Sequence, residues 1–165
     1  MKIKTWAGVP MLLIWMLTPG LIVAQGFAVQ MRAASGDLAV AETTSAVQAR
    51  FGRLAILLDV TKLTLADVDD EVDFYIQTTY DAGANWCDAE NIHFENADDG
   101  NTAKLIVRVG ETDYLAADTA AACTDGTLAD GTKLKVPLGQ QVRIKTLITG
   151  ATAPTYAYAA AGTFN

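Results

Sequence analysis

Residues 72–86 read VDFYIQTTYDAGANW, and this stretch decides the fold. Val72, Phe74, Ile76 and Thr78 alternate with Asp73, Tyr75, Gln77 and Thr79, and successive side chains of a strand point to opposite faces. The alternation predicts a half-buried antiparallel strand. Asp81, Ala82 and Gly83 then supply a tight turn: the Asp accepts bonds from the backbone that follows it, the Gly accepts positive φ, and Trp86 opens the return strand.

Outward from this hairpin the same period recurs. Leu54, Ile56, Leu58 and Val60 alternate with the mixed set Ala55, Leu57, Asp59 and Thr61, which predicts a central strand covered on both sides. Further alternation is found at Leu105, Val107 and Val109, at Leu134, Val136 and Leu138, at Val142, Ile144, Thr146 and Ile148, and at Tyr156 and Tyr158. Pro137 and Pro154 belong at strand ends or edges, because proline cannot donate to a ladder. Segments rich in Asp, Gly, Thr and Ala separate the runs, and apart from a short helical turn at Leu115–Cys123 no helical period is sustained. The expectation is an antiparallel β-sandwich of about seven to eight strands, immunoglobulin-like or jelly-roll-like, over residues 51–165.

Before it lies a polar lead-in, residues 25–50, with room for one strand. Residues 1–24 carry Lys2 and Lys4 ahead of an apolar run, Trp6 to Ala24, in the pattern of a secretory signal. Cleavage after Ala24 would expose Gln25 and place the product outside the cytoplasm. Two alternatives stand beside this: an uncleaved membrane anchor, and a true start at Met31 with the apolar run an upstream extension.

With 51% hydrophobic residues in 165, the chain can bury a core as one domain. Without Lys2 and Lys4 the 12 basic residues fall to 10 against 19 acidic ones, a net charge of about −9. Such a field repels polyanions and argues against nucleic acid as a partner. Cys87 and Cys123 pair in one reading, a bridge worth about 4 kcal/mol in chain-entropy terms. In a cytosolic product they stay reduced, and a further reading leaves them as two unrelated small buried residues.

Chemistry-bearing constellations are sparse. One histidine, His93, and two serines, Ser35 and Ser45, are too few for a nucleophilic triad. His93 reads as a strand residue with a satisfied side chain, and one His with two distant Cys lacks zinc-site spacing. No glycine-rich phosphate loop opens a helix. Asp67, Asp69 and Asp70, with Asp98 and Asp99, offer hard oxygen ligands for calcium. Neither loop has the spaced pattern of a helix-loop-helix calcium site. Lys104, Arg108, Lys133, Lys135, Arg143 and Lys145 lie on polar strand positions and define a candidate basic interaction face. Tyr75, Tyr80 and Tyr114 are candidate sugar-stacking residues.

Thr79 to Trp86 resembles the Asp-box hairpin of sialidases and other propellers, with Thr79 and Asn85 in place of its serine and threonine. One copy makes it a turn device built from Asp81, Gly83 and Trp86. Taken with LLDVT at Leu57–Thr61, the VRI strand at Val142–Ile144 and the GATAPTYAY ending at Gly150–Tyr158, the hairpin resembles a family of small tailed-phage and prophage structural proteins. The likeness runs in order from about Ser35 to Ala160. The signal-like N-terminus and an insertion at Ala116–Thr132 depart from that family's pattern. The resemblance implies a non-enzymatic virion component, a head-decoration or other accessory protein, that contacts capsid or tail subunits or copies of itself and needs no cofactor. The alternative is a secreted or periplasmic β-sandwich acting as an adhesion or glycan-binding module, touching a membrane only through an uncleaved N-terminus.

Overall fold

The computed structural model describes residues 27–49, 52–110, 123–134 and 136–164. Among these residues eight strands form: β1 (Phe27–Arg32), β2 (Val47–Gln48), β3 (Leu54–Thr64), β4 (Glu71–Thr79), β5 (Cys87–Glu95), β6 (Ala103–Val109), β7 (Gln141–Thr149) and β8 (Thr155–Phe164). They make two four-stranded sheets, ordered β1-β8-β3-β6 and β2-β7-β4-β5, with every pairing between named strands antiparallel. This is the expected β-sandwich. Its last strand lies between β1 and β3, whereas the immunoglobulin order keeps the last strand beside the penultimate one.

The two alternating strands read from sequence face each other across the core. Val72, Phe74 and Ile76 of β4 and Leu54, Ile56, Leu58 and Val60 of β3 are all buried. Phe74 is the aromatic centre, in edge contact with Phe94 of its own sheet and with Tyr156 and Tyr158 of the opposite one. The alternation of β8 therefore sends both tyrosines inward. Their hydroxyls are satisfied there: that of Tyr156 bonds Thr146 and the Val40 carbonyl, and that of Tyr158 donates to Glu42. Glu42 also takes both ends of the Arg32 guanidinium.

The lead-in does more than one strand's work. After β1 it stays against β8, bridging Leu38 to Tyr156, and then crosses to the other sheet, bridging Thr43 to Lys145 before β2 pairs with β7. A strand that switches sheets closes the open end of a sandwich. Met31 lies within β1 and is buried in the core, while Phe27 to Gln30 before it pair with β8.

Three expectations need correction. The strand at Leu134–Leu138 does not form: Lys133 makes a single bridge to Glu90, and Val136 and Leu138 pack on the core from irregular backbone interrupted by Pro137. β4, expected to be half-buried, is buried on both faces from Val72 to Thr79. β3 does sit centrally, between β8 and β6, yet Leu57 on its outer face is 45% exposed. The covered and uncovered faces are thus the reverse of what side-chain polarity suggests, because the segment that covers β4 is itself polar. The short helical turn at Leu115–Cys123 lies almost wholly outside the described residues, as do residues 1–24. Among the described residues no helix is long and apolar enough to cross a membrane.

Candidate functional site

The segment covering β4 is a strap, residues 123–134, laid across the outer face of the β2-β7-β4-β5 sheet. At one end Cys87 is joined to Cys123 by a disulfide. Backbone bonds then tie the strap along the edge of β5: Asp88 N to Thr124 O, Asn91 N to Thr132 O, and Leu134 N to Ala89 O. Gly126 carries φ +75 and donates to both Asp88 carboxylate oxygens at 3.0 Å, and a Cβ there would meet Lys145 Nζ at 2.8 Å. The positive φ is what calls for glycine at this position.

Beneath the strap the polar residues of β4, β5 and β7 bond one another. Gln77 donates to Asp88 at 2.7 Å and to Asp125 at 2.9 Å, and accepts from Arg143 Nε at 2.7 Å. Asp125 also takes Arg143 Nη2 and Lys145 Nζ, and Lys145 foremost, with Gln77, holds its carboxyl below the usual range. Asn91 Nδ2 donates to the Leu128 carbonyl, while its Oδ1 is buried without a partner. Tyr75 is only 5% exposed, and burial first, then the charges of Asp73, Asp88, Asp130 and Glu71, push its phenol up to about 12.

At the far end of the strap lies a tighter group. Glu71 and Asp73 of β4 and His93 of β5 bring ligand atoms within 4.8 Å of one another. His93 Nδ1 is 3.0 Å from Asp73 Oδ1 and 3.7 Å from Asp130 Oδ1 on the strap. The register causes this, since Asp73 is directly opposite His93. Burial alone would lower the His93 pKa, but the bond to Asp73 and the charges of Asp130, Asp73 and Glu71 outweigh it and raise the value. The sequence offered no signal for the grouping beyond the strand alternation, because Asp130 arrives from a distant loop.

The turn residues occupy the β4–β5 connection. Asp81 accepts from the Asn85 backbone at 2.9 Å, the Asn85 amide at 2.6 Å and the Thr79 hydroxyl at 2.7 Å, and these bonds hold its pKa at about 2. Ala82 and Gly83 both adopt positive φ, the pairing of a hairpin turn. A Cβ on Gly83 would touch the Trp86 ring at 3.7 Å.

Four of the five calcium candidates, Asp67, Asp70, Asp98 and Asp99, are engaged by their carboxylates in bonds to nearby backbone. Asp70 accepts from Asp67 N and from the Thr152 hydroxyl, Asp67 from Asp69 N, Asp99 from Leu65 N and Asp98 from Glu95 N. Among the described residues, the group of three or more metal-capable side chains that converges is Glu71, Asp73 and His93, not these. The expected basic face divides. Lys104 and Arg108 lie on β6, with Lys104 bonded to Asp59, while Arg143 and Lys145 lie on the opposite sheet and Lys133 pairs with Glu90. Lys135 lies outside the described residues, as does Tyr114. Of the sugar-stacking candidates, Tyr75 is buried and Tyr80, 43% exposed, donates its hydroxyl to the Pro137 carbonyl.

The outer face of the β1-β8-β3-β6 sheet carries the contrasting surface. Leu57 stands opposite Ile106 on β6 and Ala161 on β8, and Ile106 is 67% exposed. Comparison with protein-family models, curated proteins and solved structures finds no match to this chain.

Proposed function

We propose that the chain is a non-enzymatic contact module, a structural or accessory protein of a tailed-phage or prophage virion, that docks through the outer face of the β1-β8-β3-β6 sheet. The exposed Leu57–Ile106 pair, on the β3–β6 side of that face, carries the reading. Ala28, Ala55 and Ala161 keep the surroundings low and flat, and Lys104 and Arg108 flank Ile106 along β6. An apolar centre between exposed cations complements a capsid or tail subunit that presents an apolar patch rimmed by carboxylates. Self-pairing across the β6 edge is disfavoured, because an antiparallel match centred on Ile106 sets Lys104 against Arg108 of the second copy. The virion assignment rests on the ordered likeness of LLDVT, the DAGANW hairpin and GATAPTYAY to phage structural proteins.

Particles banded from a producing culture test the reading. The native chain is expected at a fixed ratio to the capsid subunit, and Ile106→Asp, which changes an exposed side chain and leaves the core intact, is expected to fold and stay out of the particle. Recovery of the native chain only from particle-free fluid, with Gln25 at its N-terminus, would sink it. That result would favour the second reading, a secreted adhesion or glycan-binding module. The Cys87–Cys123 bond is the observation on that side, since disulfides persist in oxidising surroundings.

A further inference from the structure

We propose that Glu71, Asp73, His93 and Asp130 form a binding site for a divalent transition-metal ion of the zinc class, which clamps the far end of the 123–134 strap onto β4 and β5. Three ligand atoms, two carboxylate oxygens and an imidazole nitrogen, already lie within 4.8 Å of one another. Tetrahedral bonds of about 2.1 Å to zinc set neighbouring ligand atoms about 3.4 Å apart. The His93 separations, 3.0 Å to Asp73 and 3.7 Å to Asp130, bracket that spacing. Asp130 stands outside the converged three, 3.7 Å from His93, and would join them as the fourth ligand by a movement of the strap.

The charge balance points the same way. Three carboxylates face one imidazole, and β7 sets neutral Leu147 and Thr149 opposite Asp73 and Glu71. Across the other side Glu71 stands opposite Glu95, a like-charge pair that destabilises a sheet. The nearby cations are engaged elsewhere: Lys145 is held by Asp125 and Lys133 by Glu90. A second observation is independent of these acids. Asn91, 1% exposed and two residues before His93 on the same face of β5, keeps its Oδ1 buried and unpartnered beneath the strap. That oxygen is available to a water on a bound ion.

The donor set selects among ions. Calcium takes six to eight oxygens at longer distances, whereas an imidazole nitrogen with carboxylates suits zinc and its first-row neighbours. Because Asp130 comes from the strap and the other three from the sheet, the ion would cross-link the strap at the end opposite the Cys87–Cys123 bond. Its role in this arrangement is to fix the strap, with no reacting substrate implied.

The untagged, disulfide-intact chain, stripped with EDTA, is titrated with zinc chloride by calorimetry. One equivalent is expected to bind. His93→Gln and the exposed-site variant Asp130→Asn are each expected to weaken binding by about tenfold or more, as loss of even an outer-shell partner does. Cobalt substituted for zinc should give a visible absorption band that His93→Gln abolishes. Zinc should also slow amide exchange at Asn91 and Thr132, which hold the strap and its turn. Absence of saturable binding below millimolar zinc, or unchanged affinity in a folded His93→Gln, would overturn the site. Binding that leaves Asn91 and Thr132 exchange unaltered would overturn the clamp.

Discussion

The Arg143 guanidinium lies 4.1 Å from the centre of the Trp86 ring, while its Nε donates to Gln77 Oε1 at 2.7 Å and its Nη2 reaches Asp125 at 3.2 Å. One side chain thus ties the β4–β5 hairpin, the C-terminal part of β4 and the strap together. Arg143→Ala should destabilise by about 2–3 kcal/mol, the sum of a lost cation–π contact and a buried amide oxygen left without a donor. Arg143→Lys keeps the charge but loses the planar stack and fork, and should cost about 1–2 kcal/mol. Urea unfolding reads both as a lower midpoint at unchanged slope.

Removing the cross-link tests how far the strap depends on it. The double variant Cys87→Ser with Cys123→Ser should lose about 4 kcal/mol on chain-entropy grounds. Hydrogen exchange should quicken first at Asp88 and Gly126, whose amides bond strap and sheet beside the bridge. The β3–β8 amides should retain their relative protection.

Asp81 gives a pH dependence with a definite sign. Its folded pKa of about 2 lies below the ordinary aspartate value of about 3.9. The carboxylate's contribution is therefore complete above pH 4 and is lost as pH falls through the folded value. The melting-temperature difference between the native chain and Asp81→Asn should shrink steadily from pH 4 to pH 2, and an invariant difference would show that the turn does not depend on the charge.

Phe74 is fully buried at the meeting of four aromatic rings. Phe74→Ala should cost about 3–5 kcal/mol, the lost burial of the ring plus the cavity left between the two sheets. Chemical denaturation measures it. Phe74→Leu, which keeps most of the volume, should cost visibly less.

Much of the sandwich was legible in the chain because strand alternation is a local signal. Ile56, Leu58, Val72, Phe74, Tyr156 and Tyr158 fell on core faces as their spacing required. The run at Leu134–Leu138 carried the same period and formed no strand: it touches the β5 edge only through the Lys133 bridge and the Leu134 N bond to Ala89 O, and Pro137 removes a donor beyond them. The metal-capable group was not legible, because Asp130 meets His93 only through the fold of a segment far along the chain.

The sequence by itself determined two-faced strands, the DAGANW turn and the residues of the core, all matters of period two and local turn chemistry. Tertiary structure alone decided which outer face is covered. Alternation separates the two sides of a strand but cannot say what lies on either, and here the covering strap binds by backbone and carboxylate hydrogen bonds. It therefore settles over polar Asp73, Tyr75 and Gln77 and leaves apolar Leu57 and Ile106 exposed.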